Sequence, residues 1–88
     1  MQAPKNQTAE VLYELISKPY ITRLDILKDT GILNLTARIA DLRIRYGVNV
    51  ICTKKNVLNK HNREISYGLW HIEDKENAKI IYQKINRE

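Results

Sequence analysis

Residues 36–46 read TARIADLRIRY. Leu35, Ile39, Leu42 and Tyr46 recur at spacings of four, three and four, which places them on one side of a helix. Thr36 stands where an N-cap hydroxyl accepts from a free first-turn N–H. Gly47 stands where a helix end takes a left-handed residue. On a helical projection Arg38 and Arg45 fall on one flank of the apolar stripe. Ala37, Asp41 and Ile44 point away from it, and Arg43 lies near its edge. A short helix divided in this way is a candidate for insertion into a DNA groove. The plain alternative is an amphipathic helix with a solvated face.

The charge map favours the first reading. The 88 residues carry a net +5. Between Thr36 and Arg63 lie seven basic residues (Arg38, Arg43, Arg45, Lys54, Lys55, Lys60 and Arg63) against one acid, Asp41. That segment is therefore +6 and the other sixty residues sum to −1. Concentrated basicity is the footprint of a face that meets a polyanion.

Length and composition bound the rest. The chain makes one small domain with a modest core. No apolar run approaches the roughly 18–20 residues of a membrane span, and the first ten residues lack the apolar stretch of a secretory signal. A single cysteine, Cys52, forms no internal disulfide, so a reducing, cytoplasmic setting is expected.

On either side of residues 36–46 the pattern changes twice. Residues 1–7 read as a flexible lead-in. A first helix is expected from Thr8 to Ser17, with Val11, Leu12, Leu15 and Ile16 buried, and Lys18-Pro19 ends it. Tyr20-Ile21 is a short extended link able to pair with a later sheet. Thr22 to Asp25 fits a capping box at the start of a second helix, and Gly31 closes that helix. Leu24 and Leu27 continue an apolar face begun by Ile21, and Ile26 widens it. The aliphatic residues of Ile32 to Leu35 are expected to plug the gap between helices.

After Gly47, the run Val48 to Thr53 is rich in β-branched residues. Residues 54–63 are polar and basic without a helical stripe, and Glu64 to Ile72 alternates. The expectation is a β-hairpin with a long basic tip, with Gly68 marking a bulge or a close backbone approach. Asp74 then caps a last helix bearing the stripe Ala78, Ile81, Tyr82 and Ile85. That stripe either covers the open face of the hairpin or forms a dimer seam. Three helices, a basic-tipped hairpin and a further C-terminal helix define an α+β winged helix-turn-helix, with the winged domain at 8–72 and the last helix at 73–88.

Residues 20–51, YITRLDILKDTGILNLTARIADLRIRYGVNVI, resemble a family of small winged helix-turn-helix proteins of phages, prophages and other mobile elements of bacteria. The resemblance rests on Ile21-Thr22-Arg23, Gly31-Ile32, Leu35 to Ile39 with Leu42-Arg43, Tyr46-Gly47, and Tyr67-Gly68-Leu69. It implies double-stranded DNA binding by a repressor, an excision accessory factor or another phage regulator. Residues matching Arg38 and Arg43 recur in the family pattern. The resemblance therefore gives one or both a structural role, for example against Asp25 or Asp29, as an alternative to reading bases.

In that frame Thr36, Ala37, Arg38, Asp41 and Arg45 are the candidates for base edges, with Asp41 either accepting from a cytosine amine or orienting Arg38 or Arg45. Lys54, Lys55, Lys60, His61 and Arg63 are the candidates for backbone or minor-groove contacts. Recognition of a specific site then calls for a homodimer or for tandem monomers. An acidic protein partner is the rival, with the chain acting as an inhibitor or adaptor, and the exposed Ile44 favours it. Nothing points to an enzyme, a cofactor or a metal site. Cys52, His61 and His71 match no short-range ligand spacing, and a fourth ligand is missing.

Overall fold

In the computed structural model, which describes residues 1–88, Asn6 opens the first helix. Its side chain accepts from the Ala9 N–H at 2.8 Å, so α1 (Gln7–Ser17) starts one residue earlier than expected. Val11, Leu12, Leu15 and Ile16 are all buried, as the stripe requires. Lys18 ends the helix and crosses to the next. Its Nζ lies 3.0 Å from Glu14 and 2.6 Å from Asp29. These two carboxylates hold the ammonium charged well above its usual range.

The second helix, α2 (Arg23–Thr30), carries the expected capping box. Thr22 Oγ1 accepts from the Asp25 N–H, and Asp25 Oδ2 accepts from the Thr22 N–H. Gly31, at φ 75°, closes it in the left-handed region. Its buried side differs from the reading. Only Ile26 is in the core, while Leu24 is 64% and Leu27 41% exposed. An eight-residue helix lying across α1 reaches the core with one side of its two turns. The face continuing from Ile21 looks into a groove beside the hairpin instead.

The third helix, α3, runs Leu35–Ile44 with Asn34 as its cap, in place of Thr36; Asn34 Oδ1 accepts from the Ala37 N–H at 3.2 Å. Both residues are competent caps, and the earlier one takes the role because Leu35 is already helical and buried. Leu35, Ile39 and Leu42 enter the core, and Tyr46 packs half-buried at its margin. Of the linker, Ile32 fills the gap, but Leu33 is 78% exposed. Gly47, at φ 66°, turns the chain out of the helix.

Val48 and Val50 are buried without forming a strand. The hairpin starts later and is longer than the composition implied. β1 (Ile51–Leu58) pairs antiparallel with β2 (Glu64–His71), from Ile51 opposite His71 to Leu58 opposite Glu64. Lys54 and Lys55 are therefore strand residues and not part of a tip. The turn is confined to 59–63. Asn59 organises it, its Oδ1 accepting from the His61 and Arg63 N–H groups, and Asn62 takes φ 62°. The pairing is continuous, so Gly68 marks a close approach and no bulge. A Cβ there would lie 3.2 Å from both Cys52 Sγ and the Trp70 ring.

Ile21 adds one rung on the other side of β2. Its N–H donates to Trp70 O at 2.8 Å, and Trp70 N–H donates back at 2.9 Å. The short pairing segment expected at Tyr20-Ile21 is thus present.

The last helix, α4 (Lys75–Arg87), is capped by Asp74. It packs on α1, with Ala78, Tyr82 and Ile85 each 1% exposed and Ile81 partly covered. It does not cover the hairpin, where Trp70 stays half-buried, and three of the stripe's four residues are closed to a partner by the chain's own core. Residues 2–5 lie along the same helix. Tyr82 Oη donates to Gln2 O, Asn86 Nδ2 donates to Ala3 O, and Lys5 N–H donates to Asn86 Oδ1.

The result is an α+β domain of four helices and a two-stranded hairpin, with extents of 48 × 24 × 21 Å. The core lies among the helices, and the outer half of the hairpin is exposed on both faces. No helix is long and apolar enough to cross a membrane.

Candidate nucleic-acid interface

The five candidates on α3 do not form one free polar face. Arg38 Nη2 lies 3.4 Å from Asp41 Oδ2, and the same oxygen accepts from Thr8 Oγ1 at 3.3 Å. Asp41 is thus spent on Arg38 and on α1, and of the two arginines offered to it, it meets only Arg38. Arg38 Nε is buried without a partner. The pair is neutral as a unit, which lowers the attraction of this flank for an anion.

Arg43 has a structural partner, though not an aspartate. Its Nε and Nη2 donate to Val50 O at 3.0 and 2.6 Å. Asp25 is engaged in the capping box and Asp29 with Lys18. The Arg43 fork therefore fastens α3 to the segment that leads into β1, and so fixes the angle between helix and hairpin.

Arg45 lies at the other end of α3, nine residues or about 13 Å along the axis from Thr36. Its guanidinium stands over the Tyr46 ring at 5.3 Å and lies 3.9 Å from Glu88 Oε2. Tyr46 Oη donates to the same carboxylate at 2.5 Å. That hydrogen bond is the main reason the phenol is pushed above its ordinary value near 10.

Thr36 is exposed at the start of α3, with Ala37 half-buried next to it. The side chain that joins them from outside is Arg23, the first residue of α2. Its Nη2 donates to Thr36 Oγ1 at 3.2 Å, and its Cζ lies 5.8 Å from the Trp70 ring centroid. Arg23 was not among the sequence-derived site residues. Its place in the capping-box segment was legible. That the first turns of α2 and α3 converge was not, because that depends on how the two helices cross.

The hairpin gathers four of the chain's unpaired cations on one exposed element. Lys54, Lys55, Lys60, His61 and Arg63 are all exposed. Within 4.0 Å of a carboxylate there is no ammonium or guanidinium of this group, in contrast to Lys18, Arg38, Arg45 and Lys79. Lys54 and Lys55 are neighbours in a strand and so point to opposite faces. Lys54 stands opposite Gly68 on the Trp70 face, and Lys55 opposite Tyr67. Four uncompensated cations on an exposed ribbon act over about a Debye length, roughly 8 Å at physiological salt. The arrangement can hold a chain of phosphates or carboxylates from either side.

Two features therefore stand out: the α2–α3 corner at Arg23 and Thr36, and the cationic ribbon of the hairpin. Ile44 is 84% exposed on α3 between Arg43 and Arg45. The chain matches no protein-family model, and no curated protein or solved structure matches it.

Proposed function

We propose that the protein is a winged helix-turn-helix that binds double-stranded DNA as a transcriptional regulator of a phage or mobile element. The observation that carries the reading is the unpaired charge of Lys54, Lys55, Lys60 and Arg63 on a ribbon that leaves the helical body. The element order supports it, including the single rung at Ile21 that joins the start of α2 to β2. In this reading the first turn of α3, Thr36 and Ala37 with Arg23 beside them, meets base edges in the major groove. The hairpin lies along the backbone or in the minor groove, adding affinity without sequence information. Arg38 and Asp41 act as a pair, and Arg45 reaches phosphate at the far end of the helix.

The test is fluorescence anisotropy of a labelled AT-rich duplex, titrated at three salt concentrations. Neutralising four or five phosphates gives a slope of log K against log salt of roughly −3 to −5. No binding at low salt would end the proposal. The second reading, an acidic protein partner met by an inhibitor or adaptor, is favoured by the exposure of Ile44, which duplex DNA leaves without an obvious complement.

A further inference from the structure

The outer edge of β2 is only partly used. In an antiparallel ladder successive residues turn their backbone groups alternately toward and away from the partner strand. Trp70 turns both of its groups away from β1, to Ile21. The pairing is continuous, so Gly68, Ser66 and Glu64 turn theirs the same way. The turn confirms the phase, since Asn59 N–H donates to Arg63 O at 2.9 Å two positions beyond the Val57–Ile65 pair. Past Ile21 the chain bends into α2, and the rungs at Gly68 and Ser66 face an open groove.

That groove is about 800 Å³, and α2 forms its other wall. Leu24, Leu27, Tyr67 and Trp70 line it, and Leu24 is 64% exposed. Arg23 is the one charged side chain in the lining. Lys28 follows on the same helix, and Lys54 and Lys55 lie on the neighbouring strand. Half of the lining is apolar, which suits a peptide better than a sugar-phosphate chain.

We infer that this groove is a docking site for an extended, acidic peptide segment of a partner protein, which adds a strand to β2 beyond Ile21. Its backbone pairs with Gly68 and Ser66, alternate apolar side chains fill the space against Leu24 and Leu27, and a carboxylate meets Arg23. The groove shares Arg23 with the α2–α3 corner proposed to meet base edges, but Ser66, Gly68, Leu24 and Leu27 take no part in the DNA reading, so variants at those positions test the peptide site alone.

The test begins with a display library of random peptides of about twelve residues, panned on the full chain, because strand addition spans only a few rungs. Enriched sequences should alternate apolar residues and carry Asp or Glu. One of them, titrated into isotope-labelled protein, should shift the amides of Leu24, Leu27, Ser66 and Gly68 and slow the exchange of the last two. Ser66→Pro removes an outward N–H while leaving the ladder to β1 intact, and should weaken binding at least about tenfold. Leu24→Asp, at an exposed position, is the second variant and should weaken it comparably. A library with no enriched sequence, or shifts confined to the hairpin lysines, would overturn the inference. So would the same shifts on raising protein concentration alone, which would give the groove to a second copy.

Discussion

Arg43 and Arg45 are two residues apart on one helix and have opposite fates. Arg43 spends its fork on one carbonyl, and that carbonyl belongs to a buried valine, so the bond closes a backbone acceptor that water would otherwise have to reach. Arg43→Ala should cost about 1–2 kcal/mol in urea unfolding, below the upper range for charged hydrogen bonds because the rest of the side chain is exposed. Arg43→Lys should recover only part, having one donor centre in place of a fork. An alanine variant as stable as the parent would mean that the clamp carries no weight. Tyr46 gives a pH signature. Its phenol donates to the Glu88 carboxylate, so its folded pKa is raised above the ordinary value near 10. A raised pKa on this acid means that the bond's stabilisation is complete below about pH 10 and is lost as pH rises through the folded value. Glu88→Gln should return the tyrosinate absorbance titration toward 10, and an unmoved titration would remove the bond from the account. Sequence placed Arg45 on a flank of the helix and Arg43 near the edge of its apolar stripe, and the family resemblance left a structural role open for Arg43, against Asp25 or Asp29. Neither offered a means of naming Val50 or Glu88 as partners, since those contacts form only after the chain turns at Gly47 or returns in α4.

Among the elements, the hairpin is where the functional proposal is most exposed to test. Lys54, Lys55 and Lys60 to alanine together should flatten the salt slope by roughly 2–3, close to one unit for each phosphate released. Arg45→Ala should change it by less than about one, because its charge is already shared with Glu88. If the triple variant keeps the parent slope, the hairpin does not touch DNA. What was legible here followed from locality. Thr22, Asp25 and Gly31 fix both ends of α2 within ten residues, and each was read correctly because its partner is three or four positions away. Lys54 and Lys55 were misplaced in a tip because lysine and asparagine are poor strand formers. The ladder to Ser66, Tyr67 and Gly68 overrides that preference, and no local pattern announces a pairing partner ten or more residues on. Leu24 and Leu27 failed for a related reason. A helical stripe shows that a face is apolar, and here that face lines a groove while the core is reached through Ile26.

For the whole molecule, the decisive fact is that α4 closes on α1. A dimer through its stripe would require Ala78, Tyr82 and Ile85 to leave the core. Truncating an aromatic as buried as Tyr82 costs about 3–5 kcal/mol, a large part of the roughly 5–10 kcal/mol that holds a domain of this size. The side chain also anchors the chain before α1, through its bond to Gln2. The stripe therefore belongs to folding, and what it leaves outside is Ile80, 65% exposed. For the proposed DNA binding, this arrangement argues for separate chains placed side by side on tandem sequences over a preformed two-fold pair through the stripe. On the proposed function, the free protein should accordingly sediment as a single chain at the concentrations used for duplex titration. On lengthening duplexes, bound mass should rise by one chain at a time. Ile80→Glu should leave both measurements unchanged, whereas Tyr82→Ala should lower the melting temperature by many degrees. A DNA-free dimer that Ile80→Glu splits would reverse the argument and return α4 to the interface.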